Sequence, residues 1–286
     1  MRWYLKVVKQ TVLTRIPFGT AIRRFKRKFF GYEPDPENLL STLENLEEME
    51  AELNAVGRSF EGAVLLEVGS GWFPAIPIML ALKGIKHIFM TDLTPHMDVV
   101  TFESTLHFLK KTFPENQRLQ AIYRLEDLPV TYVSPFDASK ISDASIDLVI
   151  SRTVLEHIPQ DELIRLLEIL RPKLARDGLM VHLIDYSDHL EHSDKTISTV
   201  NFLTWSEHKH AFINLLMREG ENRLRHHEYK DIFHKAGFSV LKDSVLVHEA
   251  TREIVKTLPL AKPYCYMSAK QLAGLRGIYI LAPAQV

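Results

Sequence analysis

Glycines and carboxylates recur in the first half of the chain in the order of a nucleoside-binding site. Gly69 and Gly71 follow the apolar run VLLEV, which contains Glu67. Glycines at such a turn let the main chain bend tightly and approach a ligand closely, because no Cβ intervenes. After the next two apolar runs come Asp92, placed to accept both hydroxyls of a ribose, and Asp137, placed to accept from an adenine edge. A lone Gly-x-Gly is a weak signal, but this ordered series predicts a nucleoside site.

The loop departs from a dinucleotide-binding loop at Trp72-Phe73-Pro74, where a third glycine would open a helix. A pyrophosphate sits on free main-chain amides at a helix N-terminus, and a helix that starts with proline lacks the first of them. We therefore expect a nucleoside ligand without a pyrophosphate. Trp72 and Phe73 are expected to form an apolar wall that tolerates a cation. The alternative is that one or both rings pack under the N-terminal helices.

Histidines stand near two further strand ends, where they could transfer protons. His157 lies in VLEHIP, one turn beyond a predicted strand, and His189 and His192 lie in DYSDHLEHSD, just beyond another. The second cluster has three interpretations: a general base for an alcohol, a divalent-metal site, or a polar loop without chemistry. His157 could equally be structural, bonded within its own turn. We predict His157, His189 and His192 as catalytic residues and no resident metal.

Alternating strands and helices must position these residues. Apolar runs predict strands over 63–69, 86–92, 130–136, 145–152 and 179–186 and in SVLKDSVLV and LRGIYILAP. Helical patterns occur in PENLLSTLENLEEMEAELNAVG, over 74–84, near 95–112, over 160–178 and in HHEYKDIFHKAGF. This alternation predicts an α/β fold with a doubly wound, mostly parallel sheet. Ligands of such sheets bind beyond the carboxyl ends of the strands.

Bulk composition limits the class of protein. The 286 residues are 46% hydrophobic and 25% charged with a net charge of −1, which is typical of a globular protein and gives no field that would attract nucleic acid. The single cysteine, Cys265, excludes an intrachain disulfide and fits a reducing compartment. No apolar run approaches a membrane span, and MRWYLKVVKQTVLTRIPF lacks the pattern of a secretory signal. We therefore expect a cytoplasmic protein.

Charge is distributed unevenly at the start of the chain. Residues 1–32 carry basic and aromatic side chains and no acid, whereas residues 33–61 are rich in glutamate. The basic arm could be a helical cap on its own domain, with charges solvated or paired with the acidic stretch, or could rest on an anionic membrane surface. We expect a helical extension over 1–58 and a ligand-binding domain over 59–286, with a substrate insertion at about 187–230.

Four motifs together resemble the class I S-adenosylmethionine-dependent methyltransferases, in particular the small-molecule branch often labelled type 11. They are LLEVGSG, TD, SPFDAS and SIDLVISRTVLEHIP. The resemblance covers about residues 60–185 well and the final strands more loosely. It implies a Rossmann-like sheet of seven strands whose last strand is antiparallel, and S-adenosyl-L-methionine as cofactor.

The resemblance also implies roles for individual residues. The cofactor-binding residues would be Glu67, Gly69, Ser70, Gly71, Trp72, Asp92, Leu93, Asp137, Ala138 and Ser151. The loop would border the methionine part, with Glu67 near its amino group through water. Asp92 would take the ribose hydroxyls, and Asp137 with Ala138 would read the adenine amino group beside Leu93. Ser151 would offer its carbonyl to the ammonium. Glu67 could instead cap a helix, and Asp137 could be a turn residue.

The activity expected from this resemblance is O-methylation of a small-molecule or glycan- or lipid-linked acceptor. The composition of the insertion suits a polyhydroxylated or acidic acceptor through Asn201, Trp205, Asn222, Arg223, Arg225 and Tyr229. The alternatives are N- or C-methylation, or a non-catalytic cofactor-binding scaffold of the same fold. A reductase would need the third glycine and a Tyr/Lys relay, and a nucleic-acid methyltransferase would need an Asn/Asp-Pro-Pro-aromatic motif or a Pro-Cys nucleophile. Neither set can be placed in the sequence.

Overall fold

A seven-stranded sheet forms the centre of the computed structural model, which describes residues 1–15, 34–217 and 220–284. The strands are β1 (Val64–Val68), β2 (His87–Thr91), β3 (Val130–Val133), β4 (Ile146–Arg152), β5 (Leu174–Asp185), β6 (Phe238–Val247) and β7 (Gly274–Pro283). Their order is β3-β2-β1-β4-β5-β7-β6, and β7 runs antiparallel to both neighbours while the other pairs are parallel. The predicted α/β sheet with an antiparallel last strand is confirmed.

Helices cover both faces of this sheet. They are α1 (Trp3–Arg15), α2 (Pro36–Ala55), α3 (Ala75–Leu82), α4 (Val99–Thr112), α5 (Gln117–Gln120), α6 (Gln160–Leu170), α7 (Glu207–Leu216), α8 (His226–Lys235), α9 (Glu249–Ile254) and α10 (Ala269–Leu272). Successive residues of β1 point to opposite faces. Leu65 accordingly packs in a buried cluster with α2 and α3, whereas Leu66 packs in a second cluster with α6 and α8. The sheet is therefore doubly wound.

The strand register brings the predicted site residues to one edge of the sheet. Val68, the last residue of β1, pairs with Thr91 of β2 and with Ser151 of β4. The strand order reverses between β1 and β4, so this is the switch point at which ligands of open α/β sheets bind. Residues that follow β1, β2 and β4 therefore meet there.

One predicted helix boundary is wrong. The helix expected over 160–178 ends at Leu170 and is followed by a 3₁₀ turn, because Pro172 has no amide with which to continue the helical bonding. β5 already begins at Leu174, and its register with β4 shifts near Ile146. A Cβ on Gly178 would lie 2.8 Å from the Ile146 carbonyl oxygen. Gly178 is thus the glycine of a strand irregularity and not a helix stop.

The acidic helix α2 belongs to the core of the sheet. Leu46, Met49 and Leu53 are buried among residues of β1 and β2. Three ion pairs with an N–O distance of 2.6 Å flank this face: Glu48–Arg276, Glu50–Lys83 and Glu52–Lys242. Such solvent-accessible pairs contribute roughly 0–1 kcal/mol each. Burial of the apolar face therefore supplies most of the free energy that holds α2 on the sheet. The three cations come from the sheet and α3–β2 region, not from the basic arm.

The first helix packs on the segment that follows β5. The main-chain N–H of Trp3 donates to Asp194 Oδ2 at 2.9 Å, and Lys6 Nζ donates to the carbonyl of His189 at 2.8 Å. Val7 is buried in a small apolar cluster with residues of α7 and the preceding 3₁₀ turn. For α1, these contacts agree with the expectation of a helical cap on its own domain.

Membrane contact through residues 1–32 stays a prediction. Residues 16–32 lie outside the described residues, so only α1 represents the basic arm. Across the described ranges, no helix combines the length and the apolar character that a membrane crossing requires.

Conspicuous polar side chains of the insertion are buried and bonded to the main chain. Arg223 Nη1 donates to the carbonyls of Phe202 and Trp205 at 3.0 and 2.6 Å. Arg225 and Tyr229 are fully buried, and Arg225 also donates to main-chain carbonyls. Full burial of Arg225 and Tyr229 contradicts the prediction that their side chains contact an acceptor, because they serve the packing of the segment itself. Contact of Trp205 or Arg223 with an acceptor stays a prediction. A role of the insertion in substrate binding remains a proposal.

Candidate functional site

The glycine loop after β1 is fixed to β2 and pressed against the turn after β4. Gly69 and Ser70 both donate their N–H to the Thr91 carbonyl at 2.9 Å. Gly69 has a φ of +74°, and a Cβ there would lie 2.5 Å from Val154 Cγ2. Gly71 has a φ of +65°, but among the described residues, apart from its two chain neighbours, no atom lies within 4 Å of the place where its Cβ would be. The loop therefore closes against the protein at Gly69 and opens at Gly71.

Asp92 is tied to the open end of this loop. Its Oδ2 accepts the N–H of Gly71 at 3.0 Å, and its Oδ1 accepts the N–H of Thr94 at 3.3 Å. The ring of Trp72 stacks on His96 with centroids 4.6 Å apart, which extends a flat wall beside the carboxylate. A carboxylate has about four acceptor sites, so two bonds leave Asp92 capacity for a ligand.

Phe73 is packed within the protein and Leu93 is exposed, although Phe73 also reaches the wall of the cavity beside the loop. Phe73 packs against a buried cluster that includes Leu39 of α2 and Phe102 of α4. This is the alternative expected for one of the two rings. Leu93 is 79% exposed at the edge of the sheet, where a planar ligand could cover it.

A cavity of about 420 Å³ lies between the glycine loop, the start of α2 and the end of β4. Its wall includes Asn38, Glu67, Gly71, Trp72, Arg152 and His157. Of the predicted cofactor residues, Glu67 and the loop residues 69–72 line this cavity. The others are not part of its wall: Asp92, Leu93, Asp137, Ala138 and Ser151. The cavity thus joins the predicted methionine end of the site to one of the predicted catalytic histidines.

Glu67 is a buried carboxyl group in the wall of this cavity. It is 4% exposed, and its Oε2 has no hydrogen-bond partner among the residues that the structure describes. Burial raises the pKa of Glu67 to about 7, although Ser70 and the charge of Arg152 lower it. No helix within 1–15, 34–217 or 220–284 uses Glu67 as its cap. A buried acceptor of this kind suits a cationic ligand group.

Asp137 and Ser151 both have side-chain contacts within the protein. Asp137 Oδ1 caps a 3₁₀ turn that contains Ala138 and accepts from the N–H and the hydroxyl of Ser139 at 3.0 and 2.6 Å. These bonds lower the pKa of Asp137. Ser151 is buried within β4, with its Oγ 2.8 Å from His182 Nδ1. Asp137 is therefore a turn residue, and a role in adenine recognition would use its other oxygen.

The three predicted catalytic histidines form a row. The ring centroids of His157 and His189 are 5.0 Å apart, and those of His189 and His192 are 5.2 Å apart. His157 lines the cavity and His192 is half exposed. The structure thus brings together residues from two separate sequence segments, and the row leads from the cavity towards solvent.

The charge on His189 differs from that expected of a general base. Burial alone would lower its pKa, but Asp185, Glu221 and Glu156 outweigh burial and raise the pKa of His189 to about 9. Without a further ligand, His189 is therefore protonated at neutral pH. Burial and the charge of His189 lower the pKa of His192.

Glu156 is the main residue of the site that sequence reasoning missed. It is 2% exposed, and neither carboxyl oxygen has a hydrogen-bond partner in the described part of the chain. Burial raises the pKa of Glu156 to about 8, and the charge of Asp185 adds to this effect. The available signal was its position next to His157 in VLEHIP. Thr153, on the cavity wall, was also missed; its φ of +52° is rare for a β-branched residue and common at functional sites.

Comparison with known proteins identifies the fold. No family model matches the sequence, and no curated protein matches it. The chain is similar to magnesium protoporphyrin IX methyltransferase (ChlM) from Synechocystis PCC 6803, solved with bound SAH, with a TM-score of 0.50, 14% identity and coverage of 96% of this chain and 100% of that chain. It is also similar to 1,6-didemethyltoxoflavin-N1-methyltransferase from Burkholderia thailandensis, with a TM-score of 0.46, 12% identity and coverage of 87% of each chain. The first likeness shows that this chain has the class I methyltransferase fold.

Proposed function

We propose that the chain is an S-adenosylmethionine-dependent methyltransferase that methylates a hydroxyl oxygen of a small-molecule or glycan- or lipid-linked acceptor. The observation that carries the proposal is the cavity, in which the buried carboxyl of Glu67 lies beside a glycine loop that opens towards Asp92. The class I methyltransferase fold supports it independently.

The residues present fit this donor. Asp92 would accept the ribose hydroxyls, and Glu67 would face the ammonium of the methionine part through water. Within the described part of the chain, Gly71 leaves the space that close approach of a ligand requires. Pro74 is the N-cap of α3 and not its first residue, but Pro77 in the first turn also has no main-chain amide to donate. This loss matters for a phosphate but not for this donor. The adenine would lie over Leu93, near Asp137 and Ala138, and the Ser151 carbonyl would be a further acceptor for the ammonium.

Bound S-adenosylmethionine would supply an electrophilic methyl group on a sulfonium. The acceptor oxygen would form the new bond to carbon while the carbon–sulfur electron pair moves to sulfur, and the hydroxyl proton would pass to a base. Residues of the chain would mainly hold the reactants in line, and positioning can supply roughly 7–11 kcal/mol. His157, His189 and His192 are the proposed catalytic residues, because their row reaches the cavity wall. Since His189 already carries a proton, the base would be His157 or His192.

We expect the purified chain to bind S-adenosylmethionine and its demethylated product in calorimetry and not to bind NAD. With donor labelled with ¹³C in the methyl group and extracts of small molecules and lipid-linked glycans as acceptors, the product methyl carbon should show the chemical shift of an ether. A shift typical of an N-methyl or C-methyl group would overturn O-methylation. Binding of NAD instead of the donor would overturn the whole proposal.

We also expect the affinity for the demethylated product to rise with pH between about 5.5 and 7.5, by at most ~10-fold per unit below the pKa. The pKa of Glu67, about 7, lies above the ordinary value, so the group is neutral in acid and becomes ionised as the pH rises through about 7. A cationic ammonium requires the ionised form, and binding therefore releases a proton. Calorimetry in buffers of different ionisation enthalpy measures both effects.

The Glu67→Gln variant should bind more weakly and lose this pH dependence. Glu61→Gln is the matched control, because Glu61 is exposed and precedes β1 at the opposite edge of the sheet. A wild-type affinity that stays constant over this range would show that Glu67 does not face the ammonium.

A further inference from the structure

A carboxylate and two imidazoles converge beside the cavity. The side chains are those of Glu156, His157 and His189, and one potential ligand atom from each lies within 4.8 Å of the others. Glu156 and His157 belong to the 3₁₀ turn that follows β4, and His189 belongs to the segment that follows β5. Since β4 and β5 are parallel neighbours, their carboxyl ends bring the two segments together.

A second, independent observation indicates that Glu156 could bind a cation. Both of its carboxyl oxygens are buried and lack a hydrogen-bond partner among the described residues, although the side chain is only 2% exposed. A buried carboxyl without hydrogen bonds costs several kcal/mol unless it holds a proton or pairs with a cation. Within the described part of the chain, Arg152 and His189 are the cationic groups that interact with its charge, and neither donates a hydrogen bond to it. The two neighbouring imidazoles offer nitrogen ligands to such a cation but, once protonated, would repel it.

The two histidines have the outer partners that metal-bound histidines usually have. His157 Nδ1 donates to the Gly220 carbonyl at 2.8 Å, which directs its Nε2 to the other side of the ring. Each nitrogen of His189 has a carboxylate oxygen nearby: Glu221 Oε2 lies 3.7 Å from Nδ1, and Asp185 Oδ2 lies 3.6 Å from Nε2. The carbonyl, at hydrogen-bond distance, orients the His157 imidazole and increases its basicity as a ligand. The two carboxylates lie beyond hydrogen-bond distance and act on His189 through their charge.

Residues 220–222 hold the turn that carries Glu156 in place. The main-chain N–H of Asn222 donates to the carbonyl of Glu156 at 2.6 Å. Its side-chain amide donates to the carbonyls of Leu155 and Ile158, both at 3.0 Å. Glu221 Oε2 accepts the N–H of His189 at 3.1 Å and so links the same segment to the third member of the cluster. The cluster is therefore fixed before any ligand binds.

We propose that Glu156, His157 and His189 bind a divalent transition-metal cation at the wall of the cavity. Imidazole nitrogen favours Zn²⁺, Co²⁺ or Fe²⁺, whereas Mg²⁺ prefers oxygen ligands and retains its waters. Two imidazoles and one carboxylate leave at least one position of a tetrahedral Zn²⁺ open for water or substrate oxygen. This assignment departs from the expectation of no resident metal drawn from the sequence.

A cation here would act on the acceptor. This role rests on the proposed methyl transfer, whereas the binding of the metal does not depend on it. His157 lines the cavity, so an acceptor hydroxyl in the cavity could reach the open position. A bound hydroxyl oxygen has a lower pKa and a fixed position. The hydroxyl proton would then leave to solvent instead of passing to His157 or His189, which would hold the cation. The oxygen's electron pair would form the bond to the methyl carbon, and the carbon–sulfur pair would move to sulfur.

The test uses the full chain, treated with a chelator and then dialysed into metal-free buffer. We expect calorimetry to show one Zn²⁺ ion bound per chain, and Co²⁺ to give visible absorption bands of a nitrogen- and oxygen-bound ion. Mg²⁺ should bind much more weakly. Glu156→Gln and His189→Gln should each weaken Zn²⁺ binding by about 100-fold or more, since even loss of an outer partner costs 10–100-fold. Thermal unfolding of each variant without metal checks that it folds.

His234→Gln is the matched control, because His234 is exposed on α8 and should leave Zn²⁺ affinity unchanged. Equal Zn²⁺ affinity of wild type, Glu156→Gln and His189→Gln would place the metal elsewhere and overturn the proposal. Tight Mg²⁺ binding with weak Zn²⁺ binding would also overturn it. Product-cofactor binding is measured separately on the metal-free chain, so failure of the donor site and failure of the metal site give different results.

Discussion

Asp92→Ala should weaken binding of the demethylated cofactor by about 100- to 1,000-fold. Two charge-assisted bonds from ribose hydroxyls would be lost, and bonds to charged groups contribute roughly 1.5–3 kcal/mol each. The variant also removes the bond in which Asp92 Oδ2 accepts the Gly71 N–H at 3.0 Å, so the open end of the loop becomes less ordered. Calorimetry with the product cofactor measures the change directly.

Asp92→Asn separates the two contributions. The asparagine oxygen can still accept the Gly71 N–H, but the charge is lost, so its affinity should lie between those of wild type and Asp92→Ala. Asp143→Ala is the control, because Asp143 is 68% exposed, pairs only with Lys173 among its described contacts and precedes β4 at the opposite edge. If Asp92→Ala bound within threefold of wild type, Asp92 would not be the ribose carboxylate.

The strand ends could be predicted from the sequence because their signals are local. Gly69 and Asp92 each follow an apolar run of strand length, and a parallel sheet places the ends of such runs at one edge. The register confirms this placement, since Val68 pairs with Thr91 and Ser151. The antiparallel last strand came from the family resemblance, because periodicity does not encode strand direction.

Residues whose role depends on distant segments could not be predicted. From the sequence, Glu156 looks like an ordinary acid near the start of a helix. Its carboxyl group lacks hydrogen-bond partners in the described structure because residues 220–222 enclose its turn, and Gly220 is 63 positions from His157 in the chain. Gly178 reads as a helix stop, since a glycine after an amphipathic run has the same local pattern as a strand irregularity. In both cases the local signal is ambiguous, and tertiary packing decides.

The role of Arg225 could not be predicted from the sequence either, because an arginine in a polar segment has the local pattern of a ligand-binding group. Its side chain is fully buried and donates to the carbonyls of Tyr186 at 2.8 Å and Leu272 at 3.2 Å, and also to that of Gly274. The guanidinium carbon lies 5.5 Å from the centroid of the Tyr186 ring. One side chain thus joins the start of α8 to the end of β5 and the start of β7.

Arg225→Met should therefore destabilise the protein by about 3–5 kcal/mol, because three buried carbonyls would lose their donor. For a chain of this size that corresponds to a fall in the unfolding midpoint of roughly 6–15 °C. Arg225→Lys should give a smaller fall, since one ammonium cannot reach all three carbonyls in the fixed geometry of a guanidinium. Thermal unfolding followed by circular dichroism measures these shifts.

Arg165→Met is the matched control, because Arg165 is exposed on α6 and should leave the midpoint within about 2 °C of wild type. The two roles of Arg225 predict opposite patterns. An acceptor-binding arginine would leave the midpoint unchanged and lower turnover, whereas an arginine that joins the strands lowers the midpoint and spares cofactor binding below the transition. A wild-type midpoint for Arg225→Met would contradict the structural role and restore the interpretation drawn from the sequence.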